Sequence, residues 1–509
     1  MISINLKDNL GIPWVTENNV SIKGNISDLD GNNIDIFQLS QCISQCGCVK
    51  ILESYIKTIR GMFSIVIEFE DRVYLISDNV RSFPMFYKNN DGLINISDDI
   101  YYLNDNSSSH ISLENRNVFL STGYTIGNKT LYEDIFQVQA GEIVELTKSG
   151  TIKEKEYWNY RVDNIVVADF PSLKQRGTEL IQQSVKRVIS SVNGRQVIVP
   201  ISGGYDSRLI LTLLKHFGYE NVVCFTYGSP KSKELDIAVS VANILGFKCH
   251  VIQYTEKFVN DYLDIDELNG FMDYACKASS VPHLQDFLAV KYMKRNNLIT
   301  SDAVFLPGHS GDIFAGTHII GNVDKETKRS VVEEGLKRKH FRLTEYKGNP
   351  NFSYYNPKCY AYSNMEAWSW KERQSKFIVN SIRAYEYFGY EARIPLWDYD
   401  LADFFKNIPL ELKNRRNSKT YTIESNLYDS ICNSIFNEYG VDGFQRPTDN
   451  IITRIIRRVL SRVTNHDGVN NLDLIMFKLS KKENINFIST RFNGKVAEAQ
   501  LHFIDGIGK

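Results

Sequence analysis

The chain is 509 residues long, room for about three domains at ~150 residues each, or for two if one is large. Hydrophobic residues make up 43 % and charged ones 23 %, so a sizeable core can sit beneath an ordinary globular surface. Fifty-nine Lys+Arg against 60 Asp+Glu leave a formal charge of −1, which argues against a general nucleic-acid coat, because that needs a basic excess to displace counterions.

Residues 1–12 carry Asp8 and lack the apolar stretch of a signal peptide, and no run nears the ~18 apolar residues of a membrane span. The eight cysteines are too sparse for a secreted disulfide scaffold. A soluble, cytoplasmic, multidomain protein is expected. Up to about residue 160, short β-rich runs alternate with polar turns: residues 20–23, 62–68, 73–77, 85–87, 93–96 and 142–146. Asp91-Gly92 is a hairpin turn, since glycine tolerates the positive φ required there. Antiparallel sheets in an α+β arrangement are the natural reading. Cys42, Cys46 and Cys48 form a lone C-x₃-C-x-C without a second pair or a nearby histidine, which fits buried free thiols better than a metal site.

The texture changes near residues 163–171. A helical pattern over 173–192 leads into a strand over 196–201 with β-branched Val197, Ile198 and Val199. Then come Ser202-Gly203-Gly204-Tyr205-Asp206-Ser207 and a helix with Leu209, Ile210, Leu213 and Leu214 on one face. A strand over 222–227, a helix over 235–245 and a strand over 248–254 complete a β-α-β-α-β alternation, which implies a parallel sheet with helices on both faces. Helical patterns dominate beyond residue 255. Near the end, Ile451, Ile452, Ile455, Ile456, Val459, Leu460 and Val463 recur at helical spacing with arginines between them. That pattern fits an amphipathic helix packed on the body of the protein, or one that meets an anionic surface.

The segment from Ser202 to Ser207 carries the most chemistry. A strand delivers the backbone into a glycine pair and a helix starts at once, so N–H groups bare of β-carbons and the positive helix end can close on phosphate oxygens. Ser202 and Ser207 add hydroxyls, and Asp206 is short enough to reach a cation that balances the phosphates. The alternative is a βα turn whose glycines serve packing alone. Neither the P-loop nor the dinucleotide fingerprint is present.

This segment resembles the Ser-Gly-Gly-x-Asp-Ser pyrophosphate loop of N-type ATP pyrophosphatases. The rest of the chain resembles the asparagine synthetase-like branch, which includes β-lactam synthetases and lasso-peptide cyclases. Leu306-Pro307-Gly308-His309-Ser310-Gly311-Asp312-Ile313-Phe314-Ala315-Gly316 is similar to that family's Ser-Gly-Glu-Gly-x-Asp-Glu-x-Phe-x-Gly loop, and Glu391-Ala392-Arg393-Ile394-Pro395-Leu396-Trp397-Asp398 to its Glu-x-Arg-x-Pro-Phe-Leu-Asp segment. The resemblance implies an ATP- and Mg²⁺-dependent ligase: a carboxylate attacks the α-phosphate to form an acyl-adenylate and pyrophosphate, and ammonia or an amine then displaces AMP. It assigns pyrophosphate binding to Ser202, Gly203, Gly204, Asp206 and Ser207 and Mg²⁺ to Asp206 and Asp312. Ile201, Tyr227, Pro307 and Gly308 would line the nucleotide pocket, with Glu234 orienting it. His309, Lys419 and Arg393 would be the catalytic residues. Asp312 could instead be a helix cap, Arg393 a structural ion-pair partner and Lys419 a surface lysine, with Lys413, Arg415 and Arg416 competing for its role. Two departures stand out. Ile382 replaces the family's aspartate beside Arg383, and His309 replaces a glutamate, offering a neutral imidazole as base for the attacking amine.

Gly61-Met62-Phe63-Ser64 and Ser77-Asp78-Asn79-Val80-Arg81-Ser82-Phe83-Pro84 resemble the family's N-terminal-nucleophile (Ntn) glutaminase domain. The chemistry there needs a cysteine whose own α-amine is the base, yet position 2 is Ile2 and the first cysteine is Cys42. The fold expected is therefore α/β: an Ntn-hydrolase-like antiparallel sandwich over residues 1–165 without glutaminase activity, then a parallel-sheet ATP pyrophosphatase domain over 170–509 with a helical C-terminal region. The substrate would be a small-molecule or peptide carboxylate such as aspartate, a sugar acid or a peptide side chain, and the nitrogen donor ammonia or an amine. No nucleic acid is expected, and a homodimer is compatible with the sequence. Intramolecular amide closure and a non-catalytic nucleotide-binding scaffold are the alternatives.

Overall fold

The computed structural model describes residues 1–507 except 91, 105–108, 231, 322, 325, 351, 353, 414–419 and 445–471. Asp91, Lys419, Arg415, Arg416 and the apolar pattern over 451–463 thus lie outside the described residues.

Among the described residues, ten strands precede residue 160: β1 (Ile2–Asn5), β2 (Val15–Glu17), β3 (Val20–Ser27), β4 (Arg60–Glu68), β5 (Arg72–Ser77), β6 (Phe86–Asn90), β7 (Leu93–Ser97), β8 (Ile135–Gln137), β9 (Glu142–Thr147) and β10 (Ile152–Glu156). They form a four-stranded sheet in the order β1-β7-β6-β8 and a six-stranded one in the order β10-β9-β5-β4-β3-β2. All pairings are antiparallel except β1 with β7. Successive side chains of a strand point to opposite faces, and β4 uses both. Val66 joins Tyr87, Ile94 and Ile96 between the two sheets, whereas Ile65 and Ile67 pack with Leu39, Ile43, Leu52 and Ile56 of the helices Ile36–Ser44 and Val49–Ile56. A sheet covered on both faces explains why β4 reads as a continuous apolar run.

The 23-residue helix Phe170–Val192, capped by Asp169, leads into the second sheet. Its strands are β11 (Val197–Pro200), β12 (Val222–Gly228), β13 (Lys248–Gln253), β14 (Val304–Phe305) and β15 (Glu391–Ala392), all parallel, in the order β13-β12-β11-β14-β15. The expected α/β architecture, antiparallel sheets followed by a parallel one, is the one observed. From β11 the chain winds outward through β12 and β13, then returns to lay β14 on the other side of β11. Such a reversal leaves a crevice at the carboxyl ends of the two neighbouring strands, where parallel sheets bind ligands.

Directional polar contacts tie the antiparallel half to the rest. Arg60 forks onto Asp400 (2.7 and 3.0 Å), which Arg187 of the long helix holds in turn (3.1 Å) within the second half, beside Asp398 (2.6 and 2.7 Å). Trp370 Nε1 donates to the Asn79 carbonyl at 2.6 Å. No helix among the described residues is long and apolar enough to cross a membrane.

Candidate active site

Both glycine-bearing loops leave the sheet at the switch point. β11 ends at Pro200 and runs through Ile201, Ser202 and Gly203 into Gly204, the N-cap of the helix Tyr205–His216, which has no side-chain cap. Ser202 N donates to Ser207 Oγ (3.2 Å) and Gly204 N to Ser202 Oγ (3.2 Å), so the two serine hydroxyls shape the turn. Neither Gly203 nor Gly204 has positive φ. A β-carbon built at Gly203 would meet nothing nearer than Ile237 Cδ1 at 3.5 Å, with Glu234 Cγ at 3.7 Å, ordinary contact distances. Backbone conformation and protein packing would thus both accept a side chain at Gly203. An anion approaching the backbone would not, and that is the fit expected of a phosphate cradle.

The second loop leaves β14 through Leu306 and Pro307 and is pressed onto the first. A β-carbon at Gly308 would fall 2.2 Å from Ser207 Cα, and one at Gly311 2.6 Å from Asp206 Oδ1 and 2.2 Å from the Tyr428 hydroxyl. Main chain blocks a side chain at Gly308, whereas at Gly311 the Tyr428 hydroxyl and the Asp206 carboxylate would have to move. Tyr428 in turn donates to Asp206 Oδ1 at 2.9 Å. Ser310 follows with φ +81°, a left-handed conformation rare for a non-glycine residue, and the short helix Gly311–Phe314 carries Asp312 in its first turn.

Asp312 has a 48 % exposed side chain and lies 3.4 Å from His318 Nε2 and 3.3 Å from Thr317 Oγ1. Desolvation by the surrounding protein works to raise its pKa, but His318, the Arg373 charge and Thr317 outweigh it and hold the carboxyl below the usual range. Asp206 and Asp312 therefore flank one loop junction, two acidic oxygen donors for a hard cation whose remaining ligands would be phosphate oxygens and water. Among the described residues no group of three or more His, Cys, Asp or Glu could hold a metal by itself.

His309 points its Nδ1 at Ser310 Oγ (3.0 Å), and its Nε2 is buried without a hydrogen-bond partner. Burial pushes its pKa down to about 4 against the pull of Asp312, so the ring is neutral at pH 7. Tyr227 ends β12 with its ring stacked on Tyr254 (5.2 Å, 20°), and its hydroxyl donates to Asp286, as does that of Tyr385. Glu234 stands in the first turn of the helix Lys233–Leu245 beside Gly203.

The third motif is placed differently. Arg393 is 4 % exposed and directs its guanidinium to Glu391 (2.7 Å), the Ala392 carbonyl (2.9 Å) and Ser191 Oγ (3.2 Å), while Glu391 also pairs with Arg195 (2.6 Å). This is an ion-pair network beneath the long helix. Arg383 is likewise buried, joined to Glu386 and the Ser82 carbonyl at the junction with the antiparallel half. Lys413 forms a fully buried pair with Glu366 (2.8 Å).

Two contributors went unseen in the sequence. Arg208 lies under the first loop and donates to the carbonyls of Gly203 (3.3 Å), Val441 (3.0 Å) and Phe444 (2.7 Å). Gln374 sits on a π-helical segment, Ser369–Ile378. It accepts from Ser310 Oγ (3.1 Å) and brings its Nε2 to 3.0 Å from His318 Nε2 and 3.5 Å from Asp312 Oδ1. The one available signal was charge: a buried segment that carries Lys371, Glu372, Arg373, Gln374 and Lys376 must place each of them on purpose.

Residues 176–483 match the family described as asparagine synthase. The chain is 21 % identical over 345 residues to the microcin J25-processing protein McjC of Escherichia coli, which covers 65 % of this chain and 60 % of that protein. It thus spans less than two thirds of that relative's length. Among solved structures, it is 15 % identical to the U34-tRNA thiolase NcsA of Methanococcus maripaludis, with 59 % of this chain and 83 % of that one covered at a TM-score of 0.21. It is 18 % identical to an NH3-dependent NAD synthetase from Campylobacter jejuni over 30 % of this chain and 62 % of that one, at a TM-score of 0.18. Both loops and the strands that launch them fall within the matched span, and the chain belongs to the asparagine synthase family.

Proposed function

We propose that this chain is an ATP-dependent, AMP-forming ligase that adenylates a substrate carboxylate and joins ammonia or an amine to it. The observation that carries the reading is the seating of Gly308 and Gly311 on Ser207 and Asp206, which builds one floor from two loops at the sheet's switch point. In this reading Ser202, Gly203, Gly204 and Ser207 hold the pyrophosphate portion of ATP, while Ile201, Tyr227, Pro307 and Gly308 border the nucleotide and Glu234 orients it. Asp206 and Asp312 would hold Mg²⁺, which would supply charge neutralisation for the phosphates. The carboxylate oxygen attacks the α-phosphorus and pyrophosphate leaves. The amine then attacks the acyl carbon, His309 accepts the proton the nitrogen sheds, and AMP departs. Lys419 would neutralise charge on the leaving group. Arg393, expected from its motif to be catalytic, would act indirectly through its ion-pair network beneath the long helix.

The antiparallel half, residues 1–165, is read as a glutaminase-like scaffold without that activity and residues 170–509 as the synthetase unit. β1 carries no cysteine, and Cys42 sits on the helix Ile36–Ser44 instead of at a strand start. Amide closure within one substrate is the second reading, in line with the sequence resemblance to β-lactam synthetases and lasso-peptide cyclases.

The test is exchange of labelled pyrophosphate into ATP, screened over carboxylic acids with and without ammonia or glutamine. Acid-dependent exchange indifferent to glutamine is expected. No exchange with any acid would leave a nucleotide-binding scaffold.

A further inference from the structure

The π-helical segment Ser369–Ile378 bears three cations. Two are committed: Lys371 pairs with Glu156 (2.6 Å), and Lys376 with Glu372 (2.5 Å), the latter pair wholly buried. Arg373, between them, is half-buried and has neither hydrogen-bond nor ion-pair partner among the described residues. None of its nitrogens is buried without a partner, so its five donors are open to solvent and to a ligand.

Neighbouring residues fix that location. Gln374, next in the chain, bonds Ser310 and lies 3.0 Å from His318 and 3.5 Å from Asp312, so the segment is pinned to the second loop. Phe377, one turn on, meets the His283 ring at a tilt (4.3 Å, 37°) and lies 6.4 Å from the Tyr124 ring. Arg373 and Phe377 are four residues apart and share one face of the segment, the face that meets His283 and Tyr124. His309 Nε2, also without a partner, is on the same loop, and its ring is linked to Gln374 through the Ser310 hydroxyl. Insertion of a residue into a helix to form a π turn has a conformational cost, and such turns cluster at functional sites.

Resting on the ligase reading, we propose that Arg373 anchors the substrate carboxylate beside Asp312 and turns it toward the nucleotide. The planar guanidinium matches a carboxylate with two parallel N–H···O bonds, which a lysine cannot reproduce. Gln374 then serves as a positioning residue that keeps the anchor in register with Asp312.

Pyrophosphate exchange is measured for wild type, Arg373→Gln and Arg373→Lys with L-aspartate, glucuronate and N-acetyl-L-glutamate amide. For the acid that drives exchange in wild type, Arg373→Gln should raise its KM by about 10- to 100-fold, a charge-assisted hydrogen bond's worth, and Arg373→Lys by less. The KM for ATP should stay within about twofold. An unchanged KM for the acid, or parallel losses for acid and ATP, overturns the anchor while leaving the ligase reading intact. If no acid drives exchange in wild type, the ligase reading falls. The anchor is then decided by calorimetric titration of succinate into the full chain with Mg²⁺ and α,β-methylene-ATP. Binding by wild type that vanishes in Arg373→Gln supports it, and absence of binding by wild type overturns it.

Discussion

Gly308 lies so close to Ser207 that a β-carbon on the glycine would stand 2.2 Å from Ser207 Cα and 2.3 Å from its nitrogen. The residues are about a hundred positions apart, yet the backbone of one loop is the packing surface of the other. Gly308→Ala must push the loops apart, because the obstacle is main chain and cannot rotate away. Overpacking of this kind costs about 1–3 kcal/mol. Thermal melts should show the loss, and calorimetry should show weaker ATP binding.

Gly203→Ala is the informative counterpart. The protein has room for that methyl, with Ile237 Cδ1 3.5 Å away, so the melting temperature should be unchanged. Affinity for ATP should nevertheless drop at least tenfold, because the methyl occupies the approach to the phosphates. Retained affinity would remove the case for the cradle.

Asp206→Asn and Asp312→Asn each keep shape and remove a charge. Pyrophosphate exchange should fall by about 10²-fold or more in both, as is usual when a charge that stabilises phosphoryl chemistry is removed. The Mg²⁺ concentration for half-maximal activity should rise. Loss of activity with unaltered Mg²⁺ dependence in both variants would point away from a shared cation.

His309→Ala separates the two half-reactions. Amide formation should fall by about 10²–10⁴-fold, the range of a lost general base, while pyrophosphate exchange falls less than about tenfold. Single-turnover quench measurements with a bound acyl-adenylate resolve the steps. Equal loss of both would refute the base role.

His340 gives a pH test independent of any substrate. It is buried against Trp368 (4.5 Å), with Nδ1 at 2.9 Å from the Tyr124 hydroxyl, and burial holds its pKa well below the ordinary 6.5. The folded protein refuses a proton that the unfolded chain accepts below about pH 6.5, so the contribution of His340 is complete above that pH and drains away beneath it. His340→Asn should be the less stable protein at pH 7.5. Its deficit should shrink as the pH falls below 6.5, by at most about 1.4 kcal/mol per pH unit. Urea denaturation of both proteins at several pH values measures the gap; a constant gap would mean that His340 titrates normally in the fold.

What the amino-acid order alone established was local. Ser202 to Ser207 is a consecutive strand–turn–helix unit, and its geometry follows from β-branched Val197–Val199 before it, two glycines within it and the Leu209–Leu214 face after it. The alternation of strands and helices over residues 170–253 likewise implied a parallel sheet, because each helix has to carry the chain back across it. Tertiary structure decided the rest. Arg393 and Arg383 look like site residues by motif, but each satisfies its charge in a buried pair, with Glu391 and Glu386, that no spacing rule predicts. Gln374 looks like ordinary helix surface, and only the packing of its π-helical segment brings it to Asp312. A motif of adjacent residues is written into the backbone's own stereochemistry. A site assembled from residues hundreds of positions apart depends on which charges the folded core leaves unpaired, and that is settled only when the whole chain has packed.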